Sequence, residues 1–380
     1  MINRYPRLTV LAMIAALALS KTSYAEVFCV TSSLGLQIAL GTAASNFEDD
    51  EIRIEQGTYA IQQFPFVQPF TFNGGSTHGG DSDDLTISGG WITFSGNPCG
   101  RQRSNASALD TILDGQGLDR VMHIDVGEQA DVTITGLTFL AGSPPGLDTT
   151  RGGGLDLGSV SEIGGTFKVE RCAFVSNTAA TASAVVISRS RTIHFNSNLV
   201  VGNTSRDPAA AVELLQINQN GIYAINNTII NNVTESNATV NVVTGLRVRV
   251  EGTSQSLIAN NILWGNERND IIYGGPGLHT SQNNTIESAA NLPDSEQNNV
   301  SIAPLFESGG FLNFNLDPQS PLANSGLSPP PDTVPFPTPF NLAWSLPDTD
   351  AGGRPRITNG RVDIGAFETL QDFLFSDRFD

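Results

Sequence analysis

The chain has 380 residues, of which only 15% are charged, and its formal net charge at pH 7 is -18. Arg carries almost all of the positive charge, because Lys21 and Lys168 are the lysines of the chain. Such an acidic chain without a basic stripe is unsuited to nucleic acid, and its 39% of apolar residues argues against disorder. Its length allows two or three compact domains, or one elongated domain that grows by repetition.

Residues 1–25 have the pattern of a secretory signal. Arg4 and Arg7 precede a short apolar run, and Ser23 and Ala25 supply the small residues of a cleavage site. The run is shorter than the ~20 residues that a spanning helix needs, which favours cleavage over an uncleaved anchor. No later stretch is apolar enough to cross a bilayer, so we expect an exported chain without a transmembrane helix.

Residues 26–49 are predicted to form an amino-terminal cap. Their apolar residues between Leu34 and Ala44 fit a short helix that covers the first turn of a strand-rich domain. The segments that follow predict entry strands, and the Phe- and Gly-rich stretch 64–84 between them predicts a loop. These entry segments are 50–59, 85–91 and 111–124.

Five segments in the middle of the chain align without gaps, which marks an internal repeat. Each has two alternating positions, a polar turn, a further apolar residue and a closing Asn or Gly. The alternation has a period of two, which predicts short strands, and no segment sustains a helical period. The aligned segments are VTITGLTFLAG (132–142), FKVERCAFVSN (167–177), IHFNSNLVVGN (193–203), IYAINNTIINN (222–232) and SLIANNILWGN (256–266).

The columns of this alignment predict parallel strands stacked about 4.8 Å apart in a solenoid. One column contains Leu137, Cys172, Asn198, Asn227 and Asn261. Asn side chains stacked at that spacing can donate and accept along the axis, so we expect a buried Asn ladder at this turn. A leucine-rich repeat would have a shorter and steadier period, and a helical solenoid conflicts with the β-branched content. The pattern favours an all-β parallel β-helix over residues 50–310.

An exported chain meets oxidising conditions, in which three cysteines cannot all pair within the chain. Cys172 falls in the inward-facing column and is therefore expected to be a buried thiol. The pairing that remains is a Cys29–Cys99 disulfide, and the alternative is three free thiols.

A second family of strands lies between the first ones, over 152–158, 183–188, 210–215 and 239–245. In this family Asp156, Val186 and Glu213 fall in one outward-facing column. The two acids would lie two strand spacings apart, roughly 9–10 Å, which is the wide limit for an acid and a base that flank a water. Asp156 and Glu213 are therefore candidate catalytic residues, and the alternative is that they are solvated surface acids.

The carboxyl-terminal part differs in composition. Residues 311–347 form an exit and a linker, whose Pro-rich stretch excludes a central strand. Residues 348–380 contain DTDAGGRPR and VDIGAFE, which are predicted to form a cap, and an aromatic-acidic tail, FLFSDRFD.

The repeat, over roughly residues 50–290, resembles the right-handed parallel β-helix of the pectin-lyase-like superfamily. The exit SPLANSG (320–326), the cap sequences and the Gly89-Gly90-Trp91 element before Cys99 resemble the choice-of-anchor Q family of secreted bacterial proteins. The tail departs from that family's anchoring segment and resembles endings of exported proteins of Gram-negative bacteria. The resemblance implies a secreted or cell-surface protein of such a bacterium, in the periplasm or at the outer membrane.

Two acidic groups are weak candidates for Ca²⁺, which is the one cofactor that the sequence leaves open. Neither has the full ligand spacing of a calcium loop, and the alternative for the second group is bonding to Arg354 or Arg356. The four histidines are scattered without metal-ligand spacing. The acidic groups are Asp81, Asp83 and Asp84, and Asp348 and Asp350.

The function that these patterns favour is binding or a structural role at the cell surface. Repetitive parallel sheets suit extended ligands such as a glycan or the surface of another protein. The alternative, which the pectin-lyase-like resemblance implies, is a lyase or hydrolase that acts on an acidic polysaccharide.

Overall fold

A computed structural model of the chain describes most residues between 25 and 369. The described residues are 25–46, 48–62, 66–77, 83–146, 150–160, 164–216, 220–238, 242–308, 312–327, 347–358 and 360–369. The predicted signal before residue 25, the stretch 328–346 and the tail after residue 369 lie outside them.

The amino-terminal elements begin with one strand and one helix. They are β1 (Glu26–Val30), α1 (Ser33–Asn46), β2 (Asp50–Glu55), β3 (Gly57–Ala60), β4 (Phe70–Asn73), the one-turn helix α2 (Gly74–Thr77), β5 (Leu85–Phe94), β6 (Asn97–Gln102), the 3₁₀ turn Ala108–Asp110, β7 (Thr111–Asp114) and β8 (Met122–Val126). Helix α1 buries Leu36, Ala39, Leu40 and Ala43, whose spacing places them on one face of the helix. That face packs on the first turn of the coil, where the cap was predicted.

The remaining strands are short and follow the repeat. They are β9 (Val132–Thr135), β10 (Thr138–Leu140), β11 (Leu155–Ser159), β12 (Thr166–Glu170), β13 (Ala173–Val175), β14 (Thr178–Ala179), β15 (Val185–Ser188), β16 (Thr192–Asn196), β17 (Leu199–Val201), β18 (Thr204–Ser205), β19 (Val212–Gln216), β20 (Gly221–Ile225), β21 (Thr228–Ile230), β22 (Val233–Thr234), β23 (Val243–Val250), β24 (Gln255–Ala259), β25 (Ile262–Trp264), β26 (Asn269–Gly274), β27 (Leu278–Gln282), β28 (Thr285–Ile286), β29 (Ala289–Ala290) and β30 (Ser295–Gln297).

These strands form three long sheets that wind around one core. Sheet 1 has the order β1-β2-β5-β9-β12-β16-β20-β24-β27-β30, with β6 antiparallel beside β5. Sheet 2 has the order β3-β7-β10-β13-β17-β21-β25-β28, and sheet 3 the order β4-β8-β11-β15-β19-β23-β26-β29. Strands β14, β18 and β22 form a short fourth sheet. The predicted all-β parallel β-helix is confirmed.

The register of sheet 1 follows the predicted columns. Val132, Phe167, Ile193 and Ile222 are successive partners in parallel strands, and all of them are fully buried. A side chain thus packs above its equivalent in the next turn, and the stacked rings of Phe139 and Phe174, 4.9 Å apart, continue this in sheet 2. The core is one column of apolar layers along the axis.

Two predicted segments differ in the structure. The stretch 64–84, predicted to be a loop, contains β4, because Phe70 and Phe72 point inward and pair with Met122 and Ile124 of β8. The strand predicted over 239–245 instead spans Val243–Val250, and its regular register with β19 begins only at Leu246. A bulge explains this shift: β23 is irregular against β26 between Val243 and Leu246, and a Cβ at Gly245 would overlap the carbonyl oxygen of Asp270.

Two columns of Asn side chains line the turns on either side of sheet 2. In the first, the Oδ1 of every Asn after Asn198 accepts from the backbone N–H and the Nδ2 of the Asn one turn earlier, with distances of 2.9 to 3.1 Å, and Asn198 Oδ1 accepts from Cys172 N at 2.9 Å. The second column has the same pattern and ends on the carboxylate of Asp270. The first column contains Asn198, Asn227, Asn261, Asn284 and Asn299, and the second contains Asn177, Asn203, Asn232 and Asn266.

Cys29 and Cys99 form a disulfide, as predicted, and Cys172 is a buried free thiol. Burial raises the pKa of Cys172 to about 12, which keeps it protonated and unreactive. The disulfide closes a loop with a sequence separation of 70 and ties β1 to the hairpin of β5 and β6. It indicates an oxidising, extracytoplasmic location.

Replacing Cys29 and Cys99 together by Ser should lower the free energy of unfolding by roughly 3 kcal/mol, because the unfolded chain regains the freedom that the cross-link removes. Urea unfolding of the oxidised wild type and of C29S/C99S measures this difference. The matched control is C172S under the same conditions, whose cost does not depend on the redox state of the buffer. Equal stability of the wild type with and without reductant would contradict the expectation.

The carboxyl-terminal segment 347–369, called the clasp below, lies along the side of the coil rather than over an open end. Ala351, Ala366 and Phe367 pack against apolar side chains on the outside of sheet 2. At a later turn of the coil, Gly365 N of the clasp donates to the carbonyl oxygen of Asn260 at 2.8 Å. Asn226 Nδ2 donates to backbone carbonyl oxygens of the clasp. The clasp therefore connects several turns of the coil at the corner between sheets 1 and 2.

Candidate functional site

The outward face of sheet 3 gathers both predicted catalytic acids. Asp156 of β11 and Glu213 of β19 are separated by Val186, so they lie two strands apart in one column, as predicted. The same column contains His123 of β8 and continues to Arg247 of β23. At about 4.8 Å per strand, these side chains span roughly 19 Å along the axis.

Asp156 is not a solvated surface acid, since only 9% of its side chain is exposed. Its carboxylate lies 3.5 Å from Arg120 Nη2, 3.4 Å from Arg151 Nη2 and 3.7 Å from His123 Nδ1. Arg120 is itself fixed, because its guanidinium donates to the carbonyl oxygens of Arg151 and Gly152. The carboxylate thus orients cations that come from the loop before β8 and the loop before β11.

Glu213 has one direct cationic partner and a second one nearby. Its Oε1 accepts from Arg247 Nη1 at 3.0 Å, and 10% of its side chain is exposed. Burial raises the pKa of Glu213, and the charges of Arg247 and Arg151 oppose that shift. The charge of Arg151 therefore acts on both Asp156 and Glu213, which are separated by Val186 of β15.

His123 lies one strand before Asp156 in this column. Burial lowers its pKa, while the charge of Asp156 pushes that pKa in the opposite direction. Desolvation is the larger effect, so the imidazole is neutral at pH 7 and can both donate and accept hydrogen bonds. About one third of this side chain is exposed.

This face can hold an anion. Arg151 and Arg247 keep 38% and 32% of their side chains exposed, while the two acids beneath them are nearly buried. Together with Arg120 they lie among the carboxylates of Asp156 and Glu213, and Asp125 of β8 also interacts with Arg151, so this face carries charges of both signs. Guanidinium groups held in place by buried carboxylates are suited to bidentate hydrogen bonds with a further carboxylate.

The structure does not bring the calcium candidates to this face. Both Asp350 oxygens accept from backbone N–H groups, those of Gly352, Arg354 and Glu368. Asp350 therefore bonds Arg354, as the alternative to calcium predicted, but through the backbone N–H of that residue. The backbone carbonyl oxygen of Asp348 accepts from Arg356 N.

The other acidic group, Asp81, Asp83 and Asp84, directly precedes β5 of sheet 1 in the sequence. Asp84 Oδ1 accepts from Asp131 N at 2.9 Å, and Asp84 N donates to Asp49 Oδ1 at 3.0 Å. Asp83 is also described, whereas Asp81 lies outside the described residues. Calcium binding at either group stays a prediction.

Sequence reasoning missed the cations of this face. Arg120 and Arg151 lie in loops, where strand periodicity gives no signal, and Arg247 was hidden by the misplaced start of β23. A signal was nevertheless present in the chain: Arg120 precedes β8 and Arg151 precedes β11, in equivalent turns of the coil.

No protein-family model and no curated protein matches this chain. Among solved structures it is similar to the crystal structure of pectate lyase Pel9A, with a TM-score of 0.30 and 13% identity, covering 91% of this chain and 97% of that one. The class of protein rests on the sheets themselves: this is an all-β, parallel β-helix protein with a cluster of Arg and acidic side chains on the outward face of sheet 3. Among the described residues, no helix is long and apolar enough to span a membrane.

Proposed function

We propose that the outward face of sheet 3 binds an acidic polysaccharide. The observation that carries this proposal is the pairing of Arg120 and Arg151 with Asp156 and of Arg247 with Glu213, two nearly buried carboxylates in one column of stacked strands. Asp156 and Glu213 act as positioning residues, because they hold Arg151 and Arg247 in fixed orientations. The exposed guanidinium N–H groups then donate to carboxylates of the ligand.

A polymer suits this face better than a small anion. The column runs for roughly 19 Å along the coil axis, and parallel stacking repeats the same spacing at every strand. An open face without walls gives little burial to a single small molecule, whereas a chain of sugar units contacts several strands at once. Binding through Arg at a partly exposed surface is also expected to weaken with salt.

Replacing Arg151 or Arg247 by Gln should weaken binding of polygalacturonate about tenfold, because each change removes one charge-assisted contact. Isothermal titration at low and high salt measures the affinity. R361Q is the control, since Arg361 is an exposed Arg of the clasp. Binding that is unchanged in R151Q/R247Q, or equal for a neutral polysaccharide, would overturn the proposal.

Cleavage of the same ligand is the second candidate function. Two observations favour it: the separation of Asp156 and Glu213 by two strands, at the wide limit for an inverting pair, and the raised pKa of Glu213. A polyuronate assay with and without Ca²⁺ tests it. Activity that D156N/E213Q abolishes would support cleavage, and the absence of activity in the wild type would leave binding alone.

We further propose that the chain is exported and held at the surface of a Gram-negative bacterium, as a member of the choice-of-anchor Q family. The pattern of residues 1–25, the disulfide and the motifs at 320–326 and 348–368 support this. Its partner there is the glycan bound on sheet 3. Fractionation of cells that express the full chain tests the location, and recovery in the cytoplasm would contradict it.

A further inference from the structure

The amino-terminal end of the coil exposes apolar side chains that play no part in the binding proposed for sheet 3. Helix α1 buries one face on the first turn of the coil, and its opposite face is exposed. Leu34 and Ile38 lie one helical turn apart on that face, and they are 64% and 59% exposed. Phe66 and Val67, shortly before β4, are 73% and 39% exposed. We call these four residues the cap face.

Charge is missing from both segments that form this end. Residues 27–47 and 56–80 contain no Asp, Glu, Lys or Arg, although the chain as a whole has a net charge of -18. Helix α1 packs on β4, so these two segments contact each other in the fold. Large apolar side chains that are exposed together on an uncharged surface are typical of a site that binds another molecule.

The cap face has a groove beside a projecting side chain. The groove has a volume of about 330 Å³ and lies between α1 and the segment 60–70. Leu34, Ile61 and Phe70 are among its lining residues, and none of the described residues that line it is charged. Gln62, which also lines it, pairs with Gln68 across the base of the loop that carries the exposed ring of Phe66.

A second copy of the chain fits this combination of groove and projection. In a contact with two-fold symmetry the same patch meets itself, so Phe66 of each copy enters the groove of the other. The absence of charge also matters, because two strongly acidic chains repel each other wherever their charged surfaces meet, and this end avoids that repulsion. The surface of a bilayer would cover the apolar side chains but leave the groove beside Phe66 unfilled.

We infer that two copies of the chain associate through their cap faces, with the two coils pointing away from each other. Leu34, Ile38 and Phe66 of each copy form the centre of the contact. The contact involves only one end of each coil, so we expect a reversible dimer with a dissociation constant of about 10 µM rather than a permanent one. This inference does not depend on the function proposed for sheet 3.

The test is analytical ultracentrifugation of the full chain over about a hundredfold range of concentration. The wild type should shift from monomer to dimer as the concentration rises. F66D and I38D should each raise the dissociation constant at least about tenfold, because each places a charge in an apolar contact. Both side chains are exposed in the monomer, so neither change affects the core, and I38D is informative if F66D does not fold.

The matched control is L292D, which places the same charge at the opposite end of the coil. Leu292 is 80% exposed and lies between the last strands, β29 and β30, so the dimer should form in L292D as in the wild type. A wild type that stays monomeric at every concentration would overturn the inference. So would equal dissociation constants for the wild type and F66D, or a loss in L292D as large as that in F66D.

Salt gives a second readout. Glu48 and Asp49 directly follow α1 and are exposed at the edge of the contact, where salt screens their repulsion between the two copies. The dimer should therefore become stronger as the salt concentration rises, whereas binding of polygalacturonate on sheet 3 should become weaker. A dimer that weakens with salt would contradict an uncharged contact. A monomer that binds phosphatidylcholine vesicles, and loses that binding in F66D, would assign the cap face to a lipid surface and overturn the inference as well.

Discussion

Replacing Asn227 by Leu is expected to lower the free energy of unfolding by about 5 kcal/mol. Asn227 is completely buried, and its Nδ2 donates to Phe195 O at 2.7 Å and to Asn261 Oδ1 at 2.9 Å. Its Oδ1 accepts from the N and the Nδ2 of Asn198. The substitution removes the acceptor of Asn198 N and the side-chain donor to Phe195 O in the core, and it removes one of two bonds from Asn198 Nδ2 and from Asn261 Oδ1.

Leu is the informative substitution because its shape is already tolerated in this column. Leu137 occupies the equivalent position in an earlier turn and is fully buried there. The loss on N227L therefore reports hydrogen bonds rather than a steric clash. Urea unfolding followed by circular dichroism measures it, with N237A as the control at an exposed Asn. A loss below about 1 kcal/mol would contradict a stabilising role for the ladder.

The sequence predicted the regular part of this ladder because the repeat is local and periodic. Each turn repeats the same inward and outward alternation, so Val132, Phe167 and Ile193 could be placed in register from their spacing alone. The prediction failed where one turn departs from the pattern. Phe70 and Phe72 form a strand of only four residues, and the bulge near Gly245 displaces the start of β23.

The candidate sites were harder to predict for a different reason. The column of Asp156 and Glu213 followed from strand register, but Arg151 reaches it from a loop whose course depends on tertiary packing. The hydrogen bond between Arg171 and Thr349 is harder still to predict, since 178 residues of sequence separate the two. Periodicity places residues within a turn of the coil, and it carries no information about segments that fold back on it.

The clasp motif was recognised from its sequence, and the structure shows a buried charge pair at its centre. Arg356 is 1% exposed, and its Nη1 lies 2.7 Å from Glu368 Oε1. Its Nη2 donates to Ser197 Oγ on the coil at 2.9 Å. Glu368 also accepts from the backbone N–H of Asp363. This pair links the two halves of the clasp, 348–356 and 362–368, to sheet 1.

Replacing Arg356 by Met should therefore lower the free energy of unfolding by about 4 kcal/mol at pH 9, because Glu368 is left as a buried charge without a cation. The loss should be smaller at pH 5. Burial raises the pKa of Glu368 to about 8, and removing Arg356 raises that pKa further, so at pH 5 the carboxyl is protonated and neutral. Urea unfolding of the full chain at both pH values measures the difference.

The sign of the pH dependence gives an independent check in the wild type. A carboxyl with a raised folded-state pKa holds its proton where the unfolded chain, with a pKa near 4.5, has lost it. Its contribution to stability is therefore complete below pH 4.5 and is lost as the pH rises through about 8. E368Q should be less sensitive to pH over this window than the wild type, because the amide does not titrate. In R356M/E368Q the buried charge is gone as well, so the loss at pH 9 should match the loss at pH 5. A loss in R356M that is equal at the two pH values would show instead that Arg356 acts through packing and its bonds to Ser197 and the clasp backbone, with Glu368 contributing no charge.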